Sequence, residues 1–529
     1  MSQPLPGLCV SAPSAGGPPA SLLFMNHRST AFKPIQLAWW VACALLPTLA
    51  GCSQLPTQVQ LSQVVATDTG TAPSAVRLAS AAGPLSAAQS QAVLARLSSR
   101  GQPTDIFQRH LAIEDALVGS PLTTGNQALL LQDGPATYRA MLAAIEQAKD
   151  HINLETYILD DDAVGQRFAR ALLAKQNQGV QVHLMHDSVG TLGTPAAFFK
   201  ALTDQGIQVL EFNPVDPSKG EGDWRLNQRN HRKLLIVDGR TAILGGINIS
   251  SVYSGGSIGR LFGGTSKRAG GAAPGGWADS AGSAVPADRA GQTGEAPATP
   301  TLWRDTDLQL QGPVVAELQK LFLSAWASQN GPPVTQRNFF PPQQAKGQQV
   351  VRAIGSSPQD PFSLIYATLL SAINSAETSI HITNAYFAPD PLLLSALEGA
   401  AQRGVAVQLI LPKHSDSWLV FHAGRSHYSR LLRAGVKLHE RRDVILHAKT
   451  ALVDGVWSTV GSTNLDWRSF LHNHELNAVV LGADFGGQMQ TMFERDLTVS
   501  DPVLLAPWED RSLGLRLKEW LARLWEYWL

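Results

Sequence analysis

Apolar and polar residues follow a pattern along this chain that occurs twice. In each copy an amphipathic helix leads into a short apolar strand, and a second helix that ends at a glycine precedes a β-rich run. The matched positions of the helix and strand are Ile145, Ala148, Ile152, Leu154 and Tyr157 in the first copy and Ile373, Ala376, Ile380, Ile382 and Tyr386 in the second. The repeat predicts two α/β/α sandwich domains related by a pseudo-twofold axis.

The predicted domains cover residues 120–340 and 341–505. We expect order to begin near Gly125-Asn126. Residues 53–119 are interpreted as a partly helical tether, because residues 53–100 are rich in Ala, Ser, Gln and Thr. Residues 254–300 are dominated by Gly, Ala, Ser and Pro. They predict a disordered insertion in the first domain, since they bury too little to offset the entropy of ordering. A lid over the substrate is the alternative.

Residues 506–529 predict an amphipathic helix rich in tryptophan, with Arg516, Lys518 and Arg523 between its apolar positions. Those positions are Leu515, Leu517, Trp520, Leu521, Leu524, Trp525 and Trp528. Two interpretations stay open: the helix packs on the second domain, or it lies in a membrane interface with its tryptophans at the lipid boundary.

Residues 1–52 are interpreted as a lead and a lipoprotein-type signal peptide. Basic residues follow Met25, and the apolar stretch from Ile35 to Leu49 is short for a membrane span. The stretch ends in Leu-Ala-Gly-Cys at Cys52, which resembles the lipobox of bacterial lipoproteins, where the cysteine is lipidated. This predicts a lipoprotein of the bacterial cell envelope that faces the periplasm, and Ser53 suggests transport to the outer membrane. An uncleaved anchor helix is the alternative.

The composition narrows the kinds of protein and of site that this chain can be. The 529 residues are 44% hydrophobic, which is enough for two sizeable cores. The 42 Lys and Arg residues equal the 42 Asp and Glu residues, so a net charge of zero weighs against bulk nucleic-acid binding. The three cysteines, Cys9, Cys43 and Cys52, all lie in the first tenth of the chain. The predicted domains therefore contain no disulfide and no thiolate zinc site.

Two sequence motifs share one spacing: His, one residue, Lys, four residues, Asp, six residues, Gly-Gly or Gly-Ser, one residue, Asn. Their members are His231, Lys233, Asp238, Gly245, Gly246 and Asn248 in the first motif and His447, Lys449, Asp454, Gly461, Ser462 and Asn464 in the second. Each motif lies in apolar β-type sequence with an Asp-Gly turn, which indicates a hairpin. A lone strand histidine is more often structural than catalytic, but two copies of a six-position pattern indicate a functional site.

The pattern resembles the paired HxKxxxxD signature of the phospholipase D superfamily, from about residue 120 to residue 505. Within that superfamily it is most similar to bacterial cardiolipin synthases. The similar segments are Gly125-Asn126, Ile152-Asn153-Leu154-Glu155-Thr156-Tyr157, Arg229-Asn230-His231-Arg232-Lys233 and Gly461-Ser462-Thr463-Asn464-Leu465-Asp466. The resemblance implies two halves that share one active site and that use neither a metal ion nor a cofactor. Synthases of that family are usually held to the inner membrane by apolar helices, whereas this chain carries a lipobox.

The resemblance also implies a reaction, in which phosphatidyl groups are transferred through a phosphohistidine. One histidine attacks phosphorus and the other protonates the leaving alcohol, as imidazole does well near neutral pH. We assign the nucleophile to His231 and the acid/base to His447, and pseudo-symmetry leaves the reverse assignment open. Two phosphatidylglycerol molecules would give cardiolipin and glycerol.

Other residues are assigned supporting roles. Lys233 and Lys449 are expected to bind the non-bridging phosphoryl oxygens, with Asn248 and Asn464 as amide donors.

Carboxylates at matching places after each motif, Asp305 and Glu475, are candidates for orienting the histidines, and Asp307 competes with Asp305. Asp238 and Asp454 belong to the motifs but are interpreted as turn residues that fix the loop rather than as proton carriers.

Three alternatives to the transferase remain. The nearest is a phospholipase D that transfers the phosphatidyl group to water and releases phosphatidic acid. A nuclease with the same motifs is disfavoured by the zero net charge and the predicted membrane attachment, and a lipid-binding protein without turnover is disfavoured because both motifs are intact. The expected partner is therefore a phospholipid membrane surface, with no nucleic acid.

Overall fold

The structure is a computed structural model that describes residues 76–98, 105–219, 225–255, 302–334 and 337–529. The predicted signal peptide with Cys52 lies outside the described residues. So does the predicted insertion 254–300, apart from Ser254 and Gly255.

The strands fall into two groups along the chain. The first group is β1 (Leu78–Ser80), β2 (Gly83–Pro84), β3 (Leu122–Gln132), β4 (His151–Thr156), β5 (Gln181–Asp187), β6 (Gln208–Phe212), β7 (Arg229–Asn230), β8 (Leu234–Val237), β9 (Thr241–Gly245), β10 (Trp303–Arg304) and β11 (Thr306–Gln311). The second group is β12 (Gln349–Ser356), β13 (Ser379–Asn384), β14 (Phe387–Ala388), β15 (Ala406–Pro412), β16 (Lys437–Arg441), β17 (Ile445–Leu446), β18 (Lys449–Val453), β19 (Trp457–Gly461), β20 (Leu465–Asp466), β21 (Asn473–Leu481) and β22 (Ser500–Val503).

Helices alternate with these strands. They are α1 (Ala87–Ser98), α2 (Leu111–Leu117), α3 (Gly134–Gln147), α4 (Ala163–Gln176), α5 (Ala196–Asp204), α6 (Val314–Ser328), α7 (Leu364–Asn374), α8 (Pro391–Gln402), α9 (Trp418–Arg425), α10 (Tyr428–Arg433), α11 (Trp467–Leu471), α12 (Ala483–Thr498), α13 (Leu505–Glu509) and α14 (Leu513–Arg523). A π-helical turn (Ile106–His110) precedes α2, and 3-10 turns span Pro217–Lys219, Ser251–Tyr253 and Glu526–Trp528.

The two halves have the same sheet topology. Neighbouring strands follow the order β6-β5-β4-β8-β9-β11-β3 in the first half and β16-β15-β13-β18-β19-β21-β12 in the second. In each half the first three strands are parallel and the others antiparallel. β3 and β12, which occupy equivalent places, pair antiparallel with each other and join the halves into one hydrogen-bonded sheet. The predicted duplication and α/β class are therefore confirmed.

The apolar positions of the predicted repeat form the two cores. Ile145, Ile152 and Leu154 are buried in a cluster of the first half, and Ile373 and Ile380 are buried in the matching cluster of the second. A further cluster packs strands β11 and β21 against helices α6 and α12. The predicted domain boundary at residues 340 and 341 lies in the connection between α6 and β12, although the two halves form one compact unit.

The aspartates of the two motifs have equivalent structural roles. Asp238 and Asp454 adopt φ angles of 53° and 51°, a left-handed conformation that aspartate tolerates in turns. The carboxylate of Asp238 accepts hydrogen bonds from the backbone N–H groups of Lys149, Asp150 and His151. That of Asp454 accepts them from the backbone N–H groups of Glu377, Thr378 and Ser379. Each aspartate thus ties the hairpin of its motif to the loop that enters β4 or β13.

The N-terminal segment before β3 differs from the predicted tether. β1 pairs in parallel with β3, with Leu78 opposite Leu122. Ile106 and Leu111 are fully buried in the core of the second half. The apolar residues of this N-terminal segment are few and lie among many Ala, Ser and Gln residues. Its composition therefore does not indicate that the segment packs on the domain from residue 76 onwards.

The C-terminal segment forms two helices rather than the single helix predicted for residues 506–529. α13 ends at Glu509, and α14 begins at Leu513 and packs on α9. Within the part of the chain that the structure describes, every helix is too short or too polar to cross a membrane.

We expect Leu111→Ala to lower the free energy of unfolding by about 2–5 kcal/mol, because it leaves a cavity in the second core. The measurement is urea denaturation. Leu129→Ala is the control, since Leu129 on β3 is 49% exposed and its truncation should change stability by less than about 0.5 kcal/mol. Equal effects of the two substitutions would show that residues 105–117 behave as a tether in solution.

Candidate active site

Hydrogen bonds between strands of different halves place the two histidines. His231 follows β7, which pairs in parallel with the start of β21, and its N–H donates to the carbonyl oxygen of His474 at 3.0 Å. His447 follows β17, which pairs in parallel with β10, and its N–H donates to the carbonyl oxygen of Arg304 at 2.8 Å. Each histidine therefore enters the site along a strand of the opposite half.

Because its strand pairs with a strand of the opposite half, each histidine contacts a carboxylate of that half. Nδ1 of His231 lies 3.0 Å and 3.2 Å from the two carboxylate oxygens of Glu475. Nδ1 of His447 lies 2.6 Å from Oδ2 of Asp305. A bonded Nδ1 fixes the ring and leaves Nε2 as the nitrogen that can react. Asp307, the competing candidate, instead accepts the backbone N–H of Ile247 at 3.1 Å.

A second set of polar groups holds the carboxylate of Glu475. It accepts hydrogen bonds from the Ser462 hydroxyl and from the Asn473 amide, the latter at 3.2 Å. Ser462 occupies the place that Gly246 has in the first motif. A Cβ at Gly246 would lie 2.4 Å from Oδ1 of Asp305, so the glycine leaves room for that carboxylate.

Tyr253 is a site residue that the sequence did not reveal. Its hydroxyl lies 3.2 Å from Nδ1 of His447, on the same side as Asp305. It also accepts a hydrogen bond from Nδ2 of Asn248 at 3.1 Å. Tyr253 belongs to the end of the first half, and no repeat or motif in the sequence marks it.

The two asparagines of the motifs differ in their contacts. Oδ1 of Asn248 accepts a hydrogen bond from the backbone N–H of Ile158 at 3.0 Å, so this oxygen is bonded within the first half. Oδ1 of Asn464 is buried and has no hydrogen-bond partner among the described residues.

Both lysines of the motifs are buried beside the histidines. Nζ of Lys233 donates to the carbonyl oxygen of His231 at 2.6 Å, and Nζ of Lys449 donates to that of His447. The Lys233 ammonium also lies 5.2 Å from the centroid of the Tyr157 ring, a cation–π contact. Within the described ranges, no three His, Cys, Asp or Glu side chains are arranged to bind a metal ion.

Burial determines the charge state of the site. It lowers the pKa of His231 to about 4, with Lys233 adding to the effect, and it lowers the pKa of His447 well below its usual value. Burial also lowers the pKa of Lys233 to about 7 and that of Lys449 to about 8. At neutral pH both imidazoles are therefore neutral, while much of the positive charge stays on the lysines.

Both motifs lie in segments that match a known protein family. The family described as "Cardiolipin synthase, PLD-like domain" matches residues 141–253 and 369–497, which contain the two motifs. The "Cardiolipin synthase" of Geobacillus sp. (strain WCH70) is 31% identical over 408 residues, 77% of this chain and 73% of that protein. The "Cardiolipin synthase 2" of Bacillus anthracis is 31% identical over 415 residues, 78% of this chain and 72% of that protein.

A solved structure shares the fold. The phosphatidylserine synthase of Haemophilus influenzae Rd KW20 superimposes with a TM-score of 0.51 at 13% identity, over 76% of this chain and 95% of that one. The chain belongs to the cardiolipin synthase family of phospholipase D-like enzymes.

We expect Gly246→Ala to break the hydrogen bond between His447 and Asp305, because the new methyl group would overlap the carboxylate. The ¹⁵N NMR shift of His447 Nδ1 reports this bond. Gly193→Ala is the matched control, since a Cβ at this exposed turn meets nothing within 4 Å. An unchanged Nδ1 shift in Gly246→Ala would contradict the packing described for Asp305.

Proposed function

We propose that this protein transfers the phosphatidyl group of phosphatidylglycerol to an acceptor alcohol, through a phosphohistidine. The observation that carries the proposal is the crossed pair of His–carboxylate hydrogen bonds, with a buried lysine beside each histidine. Kinship with cardiolipin synthases supports a second phosphatidylglycerol as the acceptor, so that the products are cardiolipin and glycerol.

The reaction has two displacements at phosphorus. In the first, Nε2 of His231 attacks, the bond from phosphorus to the glycerol oxygen breaks, and protonated His447 gives its proton to the leaving oxygen. In the second, His447 takes the proton of the acceptor hydroxyl, whose oxygen attacks phosphorus and releases His231. The first step needs a protonated His447, and the negative charge of the bound phosphodiester raises its pKa toward that state.

The lysines supply the fixed positive charge that this reaction needs. Lys233 and Lys449 are held at the histidine backbone carbonyls, so their ammonium groups are oriented before substrate binds. They would bind the non-bridging oxygens and stabilise the charge that develops on them, an effect worth about 10²–10³ in rate for one donor. The buried Asn464 amide is a further candidate donor, as expected from the sequence.

We further propose that α14 binds an anionic phospholipid surface. Apolar side chains of α14 and of the two residues that follow it point outward: Leu513, Leu517, Trp520, Leu524 and Trp525 are between 55% and 80% exposed.

The buried residues of this helix are instead Glu519, which pairs with Arg511, and Ala522. Arg516, Lys518 and Arg523 provide positive charge along it. Exposed tryptophans together with basic residues favour a lipid interface over a second protein chain.

Two contacts connect the C-terminal segment to helices of the second half. α14 packs on α9, whose first residue, Trp418, is 52% exposed. The carbonyl oxygen of Leu529 accepts the N–H of Arg468 in α11, four residues after Asn464. The C-terminal segment is therefore fixed to the second half, which contributes His447 to the site. Lipidation of Cys52 would be a second attachment and would hold the enzyme at the periplasmic face of an envelope membrane.

The test of function is mass spectrometry of lipids after incubation of the purified protein with phosphatidylglycerol. We expect cardiolipin and glycerol, with activity that persists in excess EDTA on detergent-dispersed substrate. His231→Ala and His447→Ala should each reduce turnover below a few per cent, because one site needs both histidines. Phosphatidic acid as the main product would instead indicate the hydrolase, and activity restored by one divalent ion would contradict the mechanism.

The test of membrane binding uses the full chain with Cys52→Ser, so that no lipid anchor contributes. We expect Leu524→Ser with Trp525→Ser to weaken co-sedimentation with phosphatidylglycerol vesicles by about tenfold or more, since each apolar side chain contributes on the order of 1.5–3 kcal/mol when fully buried. Leu129→Ser, an exposed apolar site on β3, should have no effect. Unchanged sedimentation, or dimerisation lost in the double variant, would exclude lipid as the occupant of α14.

A further inference from the structure

Two tyrosines stand beside the histidines at equivalent places of the two halves. Tyr157 follows β4 and Tyr386 follows β13, and both are partly exposed. The ring of Tyr157 meets His231 edge-on with centroids 5.1 Å apart, and that of Tyr386 meets His447 edge-on at 6.0 Å. Each buried histidine is thus flanked by a tyrosine ring that is partly exposed to solvent.

The pseudo-symmetry breaks at the tyrosine hydroxyls. The Tyr386 hydroxyl lies 2.7 Å and 2.8 Å from the two carboxylate oxygens of Asp416. The Tyr157 hydroxyl has no hydrogen-bond partner among the described residues, and the ammonium of Lys233 faces its ring instead. Among the described residues, only the second half therefore has a carboxylate at the hydroxyl of its tyrosine.

The chemistry of Asp416 is unusual for a site that binds phosphate. Its side chain is exposed, and no Lys, Arg or His among the residues described forms an ion pair with it. Burial and Lys449 lower the pKa of His447, and the charge of Asp416 opposes them. A carboxylate repels a phosphodiester, so it cannot serve to bind that group. It has lone pairs beyond those used by Tyr386, and these suit hydroxyl donors.

We propose that Tyr386 and Asp416 form the subsite for the alcohol, and that it takes a glycerol-type polyol with a hydroxyl next to the reacting one. This inference rests on the proposed phosphatidyl transfer. The reacting hydroxyl faces His447, and the neighbouring hydroxyl donates to the carboxylate of Asp416. The same subsite holds glycerol as it leaves and the acceptor as it arrives.

The subsite gives the two histidines different tasks. In the second displacement, the proton of the reacting hydroxyl passes to His447, its oxygen bonds to phosphorus, and the bond from phosphorus to His231 breaks. Because water and simple alcohols lack the neighbouring hydroxyl, they lose the hydrogen bond to Asp416. Selection of polyols over water therefore originates at the second half of the protein.

The test is competition between acceptors for one intermediate. Wild-type protein and variants receive phosphatidylglycerol with equal concentrations of deuterated glycerol and ethanol, and mass spectrometry quantifies deuterated phosphatidylglycerol, phosphatidylethanol and phosphatidic acid. The ratio of glycerol product to ethanol product does not depend on how much enzyme is active. We expect Asp416→Asn to lower it by about ten- to a hundredfold, the range for a lost hydrogen bond to a charged group.

Two further variants separate a polyol subsite from general damage. Tyr386→Phe should lower the same ratio, because it frees Asp416 from its position, whereas Tyr157→Phe, the matched change in the other half, should leave the ratio as in wild type. A ratio in Asp416→Asn within twofold of wild type, or equal losses in the two tyrosine variants, overturns the subsite. Wild-type protein that yields phosphatidic acid alone at every alcohol concentration rejects the transferase itself, and the subsite with it.

Discussion

The hydrogen bonds that cross between the halves are the constraint on which the rest of the structure depends. A histidine at the end of a short strand keeps a fixed ring orientation only if Nδ1 has a hydrogen-bond acceptor, and for both histidines that acceptor comes from the other half. Neither half could orient its own histidine. The duplication therefore produces one site rather than two, and the antiparallel pairing of β3 with β12 places the halves in the register that the crossed strands require.

The second constraint is the burial of charge. Lys233, Lys449, Asp305 and Glu475 are all removed from water, which is costly for each alone and tolerable only because opposite charges lie within one cluster. Burial lowers the pKa of both lysines, and it also keeps both imidazoles neutral. A neutral imidazole is the nucleophilic form. The same desolvation that reduces the stability of the site thus prepares it for an anionic substrate.

Much of this could be predicted from the sequence, because the repeat and the spacing are local patterns. These patterns predict the paired apolar strands, the histidines and lysines of the two motifs, and the candidate carboxylates Asp305 and Glu475. In the sequence, each carboxylate follows the motif of its own half. That each one binds the histidine of the other half could not be predicted, because it depends on the pairing of β7 with β21 and of β10 with β17.

Other features left no pattern to detect. Tyr253 and Asp416 reach the site from a 3-10 turn and from a loop, at positions that neither the apolar repeat nor the two motifs mark. Residues 76–98 and 105–119 have a tether-like composition that hides two strands, two helices and a π-helical turn, which pack on the second half.

The measurement that tests the central claim most directly is the identification of the residue that becomes covalently labelled. The protein reacts briefly with phosphatidylglycerol labelled at phosphorus, the reaction is stopped without acid, and peptide mapping locates the label. One shared site with crossed carboxylates predicts one labelled histidine per chain, His231, through a phosphorus–nitrogen bond that is stable to base and labile to acid. It also predicts that Glu475→Gln, which changes only the partner from the other half, slows the appearance of that label. Label on both histidines of one chain, or full-rate labelling in Glu475→Gln, would contradict the account.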